Sequence, residues 1–307
     1  MVFRAVLAGC GSMAKGWLRA LNEAPELKGR VTLVGLVDLD LAAADALRQE
    51  FGLGTAVTGT DLDQVLTATK PDLLFDVVIP SARQQIVMAG LRHGCDVLTE
   101  KPMAASLDEA RALVAAAKSA NRIHAVVQNR RFVDGVRRIR ETIASGALGE
   151  LTALHADFFI GAHFGGFREA MDHVLLLDMS IHTLDAARFM AGLDPLAVYC
   201  LETNPHGSWY ADGAAANAIF EFANDVVFTY RGSWVAEGAT PSWESAWSSR
   251  CVPVRVTSKY GDGPQRAISG SSGSFRAATV HPSGSNSSRI RPSPAGLESD
   301  GTRISSA

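Results

Sequence analysis

The chain has only four cysteines, Cys10, Cys95, Cys200 and Cys251, and no two of them form a CxxC pair. A disulfide framework or a thiolate metal site is therefore not expected, no metal is called for, and a reducing cytoplasm suits the count. Long apolar runs are also missing. No stretch approaches the ~20 residues needed to cross a bilayer. The apolar start, Val2 to Ala8, is too short for a signal peptide and leads straight into a glycine turn, so it reads as a first strand. Charge of one sign is lacking as well: the formal net charge is -3 over 307 residues. That argues against nucleic acid or a charged membrane as a partner. There is no internal repeat.

What is present is a globular composition, 47% apolar and 20% charged, in a chain long enough for two domains and a sizeable core. The composition changes along the chain. From Ser249 to Ala307, 14 of 59 residues are Ser, with Gly, Pro and Arg filling much of the rest. That segment carries a formal +5, against -8 for residues 1–248. No apolar period of 3.6 or 2 is sustained past about Val256, so the segment buries too little apolar surface to offset its ordering entropy. It is expected to be a disordered or frameshifted tail.

Residues 3–128 alternate strand-like and helix-like runs, the pattern of a parallel sheet built from βαβ units. The strand candidates are Phe3–Ala8, Val31–Asp38, Leu73–Ile79, Asp96–Thr99 and His124–Val127. Helices are expected over Met13–Asn22, Leu41–Phe51, Asp63–Ala68, Gln84–His93 and Leu107–Ser119. Ser106 with Asp108 and Glu109 reads as a helix start, and Gly94 as a helix stop. The second half has another rhythm. A helix over Phe132–Ser145 precedes a strand over Leu151–Phe159, a glycine-aromatic loop over His163–Arg168 and a long helix over Val174–Met190. Three strand-like runs then follow closely, Leu196–Glu202, Ala214–Phe222 and Val226–Ser233, which suggests an antiparallel sheet with helices on one face.

The first strand ends in Gly9-Cys10-Gly11-Ser12-Met13-Ala14, a G-x-G-x-x-A fingerprint. Gly9 permits the tight turn, Gly11 lets the backbone approach a pyrophosphate, and Ala14 lets the helix pack close to the sheet. The amides of the following helix, from Ser12 and Met13, offer an anion site. The second strand ends in Val37-Asp38, where the fingerprint places an acid for the ribose. A carboxylate there repels a 2′-phosphate, and Leu39-Asp40 supplies no basic residue to receive one, so NAD is favoured over NADP.

Gly94-Cys95-Asp96-Val97-Leu98-Thr99-Glu100-Lys101-Pro102 resembles the E-K-P strand of the glucose–fructose oxidoreductase / inositol dehydrogenase (Gfo/Idh/MocA) family. Asn129-Arg130-Arg131-Phe132 is similar to its N-x-R-[FY] junction, and Gly146-Ala147-Leu148-Gly149-Glu150 to its G-x-[IL]-G-E turn. Asp178-Met179-Ser180-Ile181-His182-Thr183-Leu184-Asp185 is similar to its D-x-G-x-H-x-x-D helix. The resemblance covers residues 3 to about 247, with three departures. Ser180 replaces a glycine and is expected to crowd the site slightly, Gln84 replaces a histidine after Pro80, and the pattern vanishes after Ser242-Trp243-Glu244-Ser245-Ala246-Trp247. A reading-frame shift near Trp247 is the expectation for the last, because out-of-frame reading of a GC-rich gene yields Arg, Ser, Gly, Pro and Ala; the alternative is a natural disordered tail.

The resemblance implies an α/β fold: an N-terminal Rossmann doubly wound parallel sheet, then a C-terminal α+β domain with a mostly antiparallel sheet, apparently truncated. The expected division is 1–127 for NAD binding, 128–248 for substrate and oligomerisation, and 249–307 for the tail. It also implies an NAD-dependent oxidoreductase acting on a carbinol carbon of a sugar, sugar derivative or cyclitol. The alternatives are an NAD-dependent glycoside hydrolase of the same fold, a non-catalytic NAD- or sugar-binding protein, and an inactive product of a damaged gene. A homo-oligomer is expected if the C-terminal sheet is intact.

Oxidising a carbinol needs a hydride acceptor, a base for the O–H proton and a polar group at the developing alkoxide. Lys101 stands at the carboxyl end of a parallel strand, where open α/β sheets place ligands. Asp178 and His182 are four apart on an expected helix and so share a face. The resemblance assigns catalysis to the same trio. The candidate cofactor residues are Gly9, Gly11, Ser12, Met13, Asp38, Pro80, Glu100 and Lys101; the candidate substrate residues are Lys101, Arg131, His163, Asp178 and His182. Asp185 is expected to brace its helix, and Trp234 and Trp243 to pack in the core. His155, His163, Arg168 and His173 either line a pocket or lie on the surface.

Overall fold

The computed structural model describes residues 2–238, 241 and 243–252, and it separates into a unit ending at Asn129 and a second beginning at Arg130. The first unit holds six strands: β1 (Phe3–Ala8), β2 (Val31–Val37), β3 (Val57–Gly59), β4 (Leu73–Asp76), β5 (Asp96–Thr99) and β6 (His124–Val126). All pairs are parallel, and the order β3-β2-β1-β4-β5-β6 is that of a Rossmann sheet. The five helices between them are α1 (Ser12–Glu23), α2 (Leu41–Glu50), α3 (Leu62–Thr69), α4 (Pro80–Arg92) and α5 (Leu107–Ala120).

Strand alternation explains the two cores. Ala5 and Leu7 point to one face with Leu18 and Leu47 of α1 and α2, while Val6 and Ala8 point to the other with Leu66, Val87 and Leu113 of α3, α4 and α5. Both faces are covered, so the strands read as continuous apolar runs. Ser106 caps α5 by accepting a bond from the Glu109 amide at 3.2 Å, and Gly94 takes φ +76 after α4. The edge strand β3 was not anticipated, because three residues carry too little period to register. Helix α4 begins at Pro80 rather than Gln84, as a proline at the first helical position allows.

The second unit holds α6 (Asp134–Ala144), β7 (Glu150–Phe159), α7 (Ser180–Ala191), β8 (Pro195–Thr203), β9 (Ala215–Phe222), β10 (Val227–Ser233) and β11 (Ala246–Val252). Its sheet runs β11-β7-β10-β9-β8 and is antiparallel except for the β7–β10 pair. One face is apolar: Ala216, Ala218, Phe220 and Phe222 alternate inward on β9 and meet Phe228 and Tyr230 of β10 and Ala186 and Met190 of α7. Each large side chain buried there contributes about 1.5–3 kcal/mol.

Two details differ from the sequence reading. The helix expected over Val174–Met190 opens with a π-helical turn, Leu175–Met179, before α7. Strand β11 pairs with β7 through Ser249 and on to Val252, past the point where the tail was expected to begin. The rest of that expected tail, 253–307, lies outside the described residues.

Candidate active site

In the first unit the glycine turn is held from two sides. Gly9 has φ +93, and a Cβ there would lie 2.7 Å from the Val77 carbonyl oxygen, so the strand end of β4 presses directly on it. Asp38 closes the other side: its carboxylate accepts from the Cys10 amide at 2.7 Å and the Asp40 amide at 3.0 Å. Cys10 is turned inward, and burial and the nearby Asp38 push its thiol up to about 12, so it adds no charge to the turn. Above Gly11 nothing lies within 4 Å. No side chain caps α1, which begins at Ser12 and Met13, so its first-turn amides and partial positive charge remain for an anion. An open glycine against an uncapped helix start fits a dinucleotide pyrophosphate. The Asp38 oxygens keep lone pairs for ribose hydroxyls.

The Glu100–Lys101–Pro102 segment follows β5. The Glu100 carboxylate accepts from the Trp17 indole at 2.8 Å and from the Lys101 amide at 3.2 Å. Beneath the turn lies an ion pair that the sequence reading did not single out. Asp76 and Arg83 are 0% and 1% exposed, with Nε 2.9 Å from Oδ2. The same carboxylate accepts from the Thr99 hydroxyl and from the Val78 amide at 3.2 Å. Burial pushes the Asp76 carboxyl upward, while Arg83, Thr99 and Val78 pull it down. The net direction is upward, and three donors converge on this one carboxylate. Pro80 opens α4 nearby, and Gln84, the departure noted in the sequence, is the neighbour of the residue that takes the buried position.

In the second unit the π-turn and α7 carry Asp178 and His182, only 4% and 7% exposed. Arg168 donates from Nε to Asp178 Oδ2 at 2.6 Å, and its guanidinium lies over the rings of Phe167 at 4.7 Å and Phe164 at 5.5 Å. Ser180 does not crowd this surface: its hydroxyl is buried and donates to the Leu175 carbonyl at 2.8 Å, with Tyr230 Oη at 3.1 Å. His163 stacks on Trp209 with ring centroids 3.6 Å apart. Arg131 forms a bidentate pair with Asp185, which braces α7 as expected, and lies over Phe189. Trp234 is fully buried, but Trp243 is partly exposed beside Phe164.

His155 bonds Thr229 at 2.5 Å, on the sheet. His173 sits at φ +52 ahead of the π-turn and bonds Glu202 at 2.5 Å, with Asp212 at 3.6 Å. These three offer ligand atoms within 4.8 Å of one another, and the His173–Glu202 hydrogen bond accounts for the grouping. Arg83 was missed in the sequence and the partner of Arg168 was not foreseen, because each arginine is defined by a carboxylate seven or ten positions away rather than by a motif.

Comparison with known proteins agrees with these two units. The family model described as "Oxidoreductase family, NAD-binding Rossmann fold" matches residues 3–128, and that of the "GFO/IDH/MocA C-terminal domain" matches residues 136–276. Among curated relatives, D-glucoside 3-dehydrogenase of Escherichia coli is 30% identical over 52% of this chain and 46% of its own length. Inositol 2-dehydrogenase of Burkholderia vietnamiensis is 28% identical over 63% of this chain and 56% of its own length. The matched region thus spans about half the length of these relatives. An oxidoreductase from Agrobacterium radiobacter, solved in complex with NAD+, L-tartaric acid and magnesium, superposes with a TM-score of 0.75 at 20% identity. That match covers 81% of this chain and 72% of that one, and it shows the shared fold. No helix among the described residues is long and apolar enough to cross a membrane.

Proposed function

Because the chain belongs to the Gfo/Idh/MocA oxidoreductase family, we propose that it is an NAD-dependent dehydrogenase acting on a carbinol carbon of a sugar, sugar derivative or cyclitol. The observation that carries the reading is the buried pair on one helix: Asp178, gripped by Arg168, with His182 one turn further on. A packing role would fill those positions with apolar side chains, since buried polar groups cost stability unless they are used or bonded.

NAD, held by the Gly9–Met13 turn and Asp38, supplies the hydride acceptor. The rest of the chemistry falls to the chain. Lys101 donates a hydrogen bond to the reacting oxygen and stabilises charge that develops there. His182 takes the hydroxyl proton as general base, a role suited to imidazole near neutral pH. Asp178 orients the substrate hydroxyls, and the Arg168 hydrogen bond fixes its carboxylate in place. His163, on its Trp209 platform, lines the substrate side.

A screen of polyols, aldoses and cyclitols with NAD+, read at the NADH absorbance band, tests the reading. Stoichiometric net NADH is expected with at least one substrate, whereas a hydrolase that only borrows the cofactor forms none. Lys101→Ala is expected to cut turnover by about 10²–10⁴-fold with NAD+ affinity kept. A folded Lys101→Ala protein that turns over at the parental rate overturns the assignment.

A further inference from the structure

We infer that Arg83 and Asp76 are positioning residues for Lys101, a role that rests on the catalytic reading of that lysine. The argument begins with what the pair costs. Two fully buried charges give up their hydration, and a pair of this kind is often no more stabilising than apolar residues of equal volume. A role beyond stability is therefore indicated, and the hydrogen bonds say which. The guanidinium spends one edge on Asp76 and reaches two backbone carbonyls with its amino groups: Val78 at 2.7 Å and Pro102 at 2.6 Å. The first carbonyl follows β4; the second belongs to the residue immediately after Lys101.

The other side of Lys101 is fixed too. Its amide bonds the Glu100 carboxylate, and the Glu100 amide bonds the Asp76 carbonyl at 2.9 Å. Thr99, the last residue of β5, donates to the same Asp76 carboxylate. One buried acid and one buried base thus tie residues 99, 100 and 102 to the end of β4, and Lys101 is the residue they bracket. Its Cα–Cβ direction is set by this frame. A lysine at 83 would donate from a single point and could not hold both carbonyls and the carboxylate.

The test replaces the pair as a unit, Asp76→Leu with Arg83→Met, and separately makes Arg83→Lys, which keeps the charge. The double variant leaves the Val78 and Pro102 carbonyls and the Thr99 hydroxyl without these partners, so it is expected to fold with a lowered denaturation midpoint. Its NAD+ affinity should stay within about threefold and its kcat fall about 10²-fold, the loss that follows from about 1 Å of misplacement. Arg83→Lys should lose about tenfold in kcat with substrate KM and NAD+ affinity kept, by the same geometric argument. The deciding measurement repeats the double replacement in a Lys101→Ala background, where it should cause no further loss. Parental kcat in Arg83→Lys or in the folded double variant overturns the inference. So does an undiminished additional loss in the Lys101→Ala background. If Lys101→Ala itself keeps full turnover, the catalytic reading falls first, which distinguishes the two failures.

Discussion

Two glycines two residues apart should respond in opposite ways to one added methyl group. At Gly9 an alanine Cβ would stand 2.7 Å from the Val77 carbonyl oxygen, 2.8 Å from its carbon and 2.9 Å from the Val78 nitrogen. These are backbone atoms of the strand end, so they yield only if β4 moves away from β1. The residue also sits at φ +93, which L side chains resist. The conformational cost is about 1–3 kcal/mol, and the overpacking adds about 1–3 kcal/mol more. Gly9→Ala should therefore lose about 2–6 kcal/mol out of a typical 5–15 kcal/mol of folding stability. At Gly11 nothing lies within 4 Å of the new Cβ and φ is ordinary, so Gly11→Ala should stay within about 1 kcal/mol of the parent. Its methyl group projects into the space left for the pyrophosphate, so NAD+ affinity should fall tenfold or more, which needs only about 1.4 kcal/mol. Urea denaturation followed by circular dichroism, with NAD+ titration calorimetry, separates the two effects. Equal destabilisation by both substitutions, or a Gly9→Ala protein of parental stability, refutes the reasoning.

The remaining predictions concern charge. Asp38→Asn keeps an acceptor for one of the two amides but removes the repulsion toward a 2′-phosphate, so the preference for NAD+ over NADP+ should narrow by about tenfold; an unchanged ratio of kcat/KM values would mean another residue reads the ribose. The His173 ring is raised above its ordinary 6.5, chiefly by the hydrogen bond to Glu202, while burial of Glu202 raises its carboxyl despite that partner, so the pair holds a proton tightly. A raised folded value means stabilisation that is complete below the ordinary value and fades as pH rises through the folded one. The imidazole is 53% exposed, so after screening the contribution is under about 1 kcal/mol. His173→Asn, which tolerates the positive φ, should lose its deficit in thermal midpoint relative to the parent between about pH 5.5 and about pH 8.5. A deficit that stays flat or grows over that range contradicts the pairing.

Much of this fold was legible because its signals are local. A glycine turn between a strand and a helix, a serine cap with acids behind it and a glycine after α4 each act within a few residues, and each stands where expected. The parallel sheet followed from the alternation of strand-like and helix-like runs, since parallel neighbours need a crossover between them. The parts that escaped are set by tertiary contacts. Strand β3 exists because β2 offers an edge, not because three residues prefer extension. The π-turn before α7 leaves no mark in apolar periodicity, yet it coincides with the Ser180 hydroxyl reaching back five residues to the Leu175 carbonyl. Ser180 was read as a bulkier glycine, when its hydroxyl belongs to the helix. The same limit hid Arg83 and the partner of Arg168. Sequence supplies the arginine but not the carboxylate that makes its position meaningful.

That distinction also separates the ion pairs by what they do. Arg111–Asp108 and Arg92–Asp63 lie on exposed surface, where the median pair contributes between about 0 and 1 kcal/mol. Replacing either should leave folding and turnover alike. Asp76–Arg83 and Arg168–Asp178 hold buried carboxylates, where removing one partner leaves an uncompensated charge and costs about 3–5 kcal/mol. The two carboxylates share a feature the surface pairs lack: Asp76 bonds Thr99 and Glu100 just ahead of Lys101, and Asp178 is itself a proposed catalytic group. An apolar substitute for Asp76 and Arg83 would remove the buried charges but leave the Val78 and Pro102 carbonyls unpaired. It could not reproduce directional hydrogen bonds to named oxygens, and geometry at the reacting atoms is where a displacement of about 1 Å becomes a 10²-fold loss in rate.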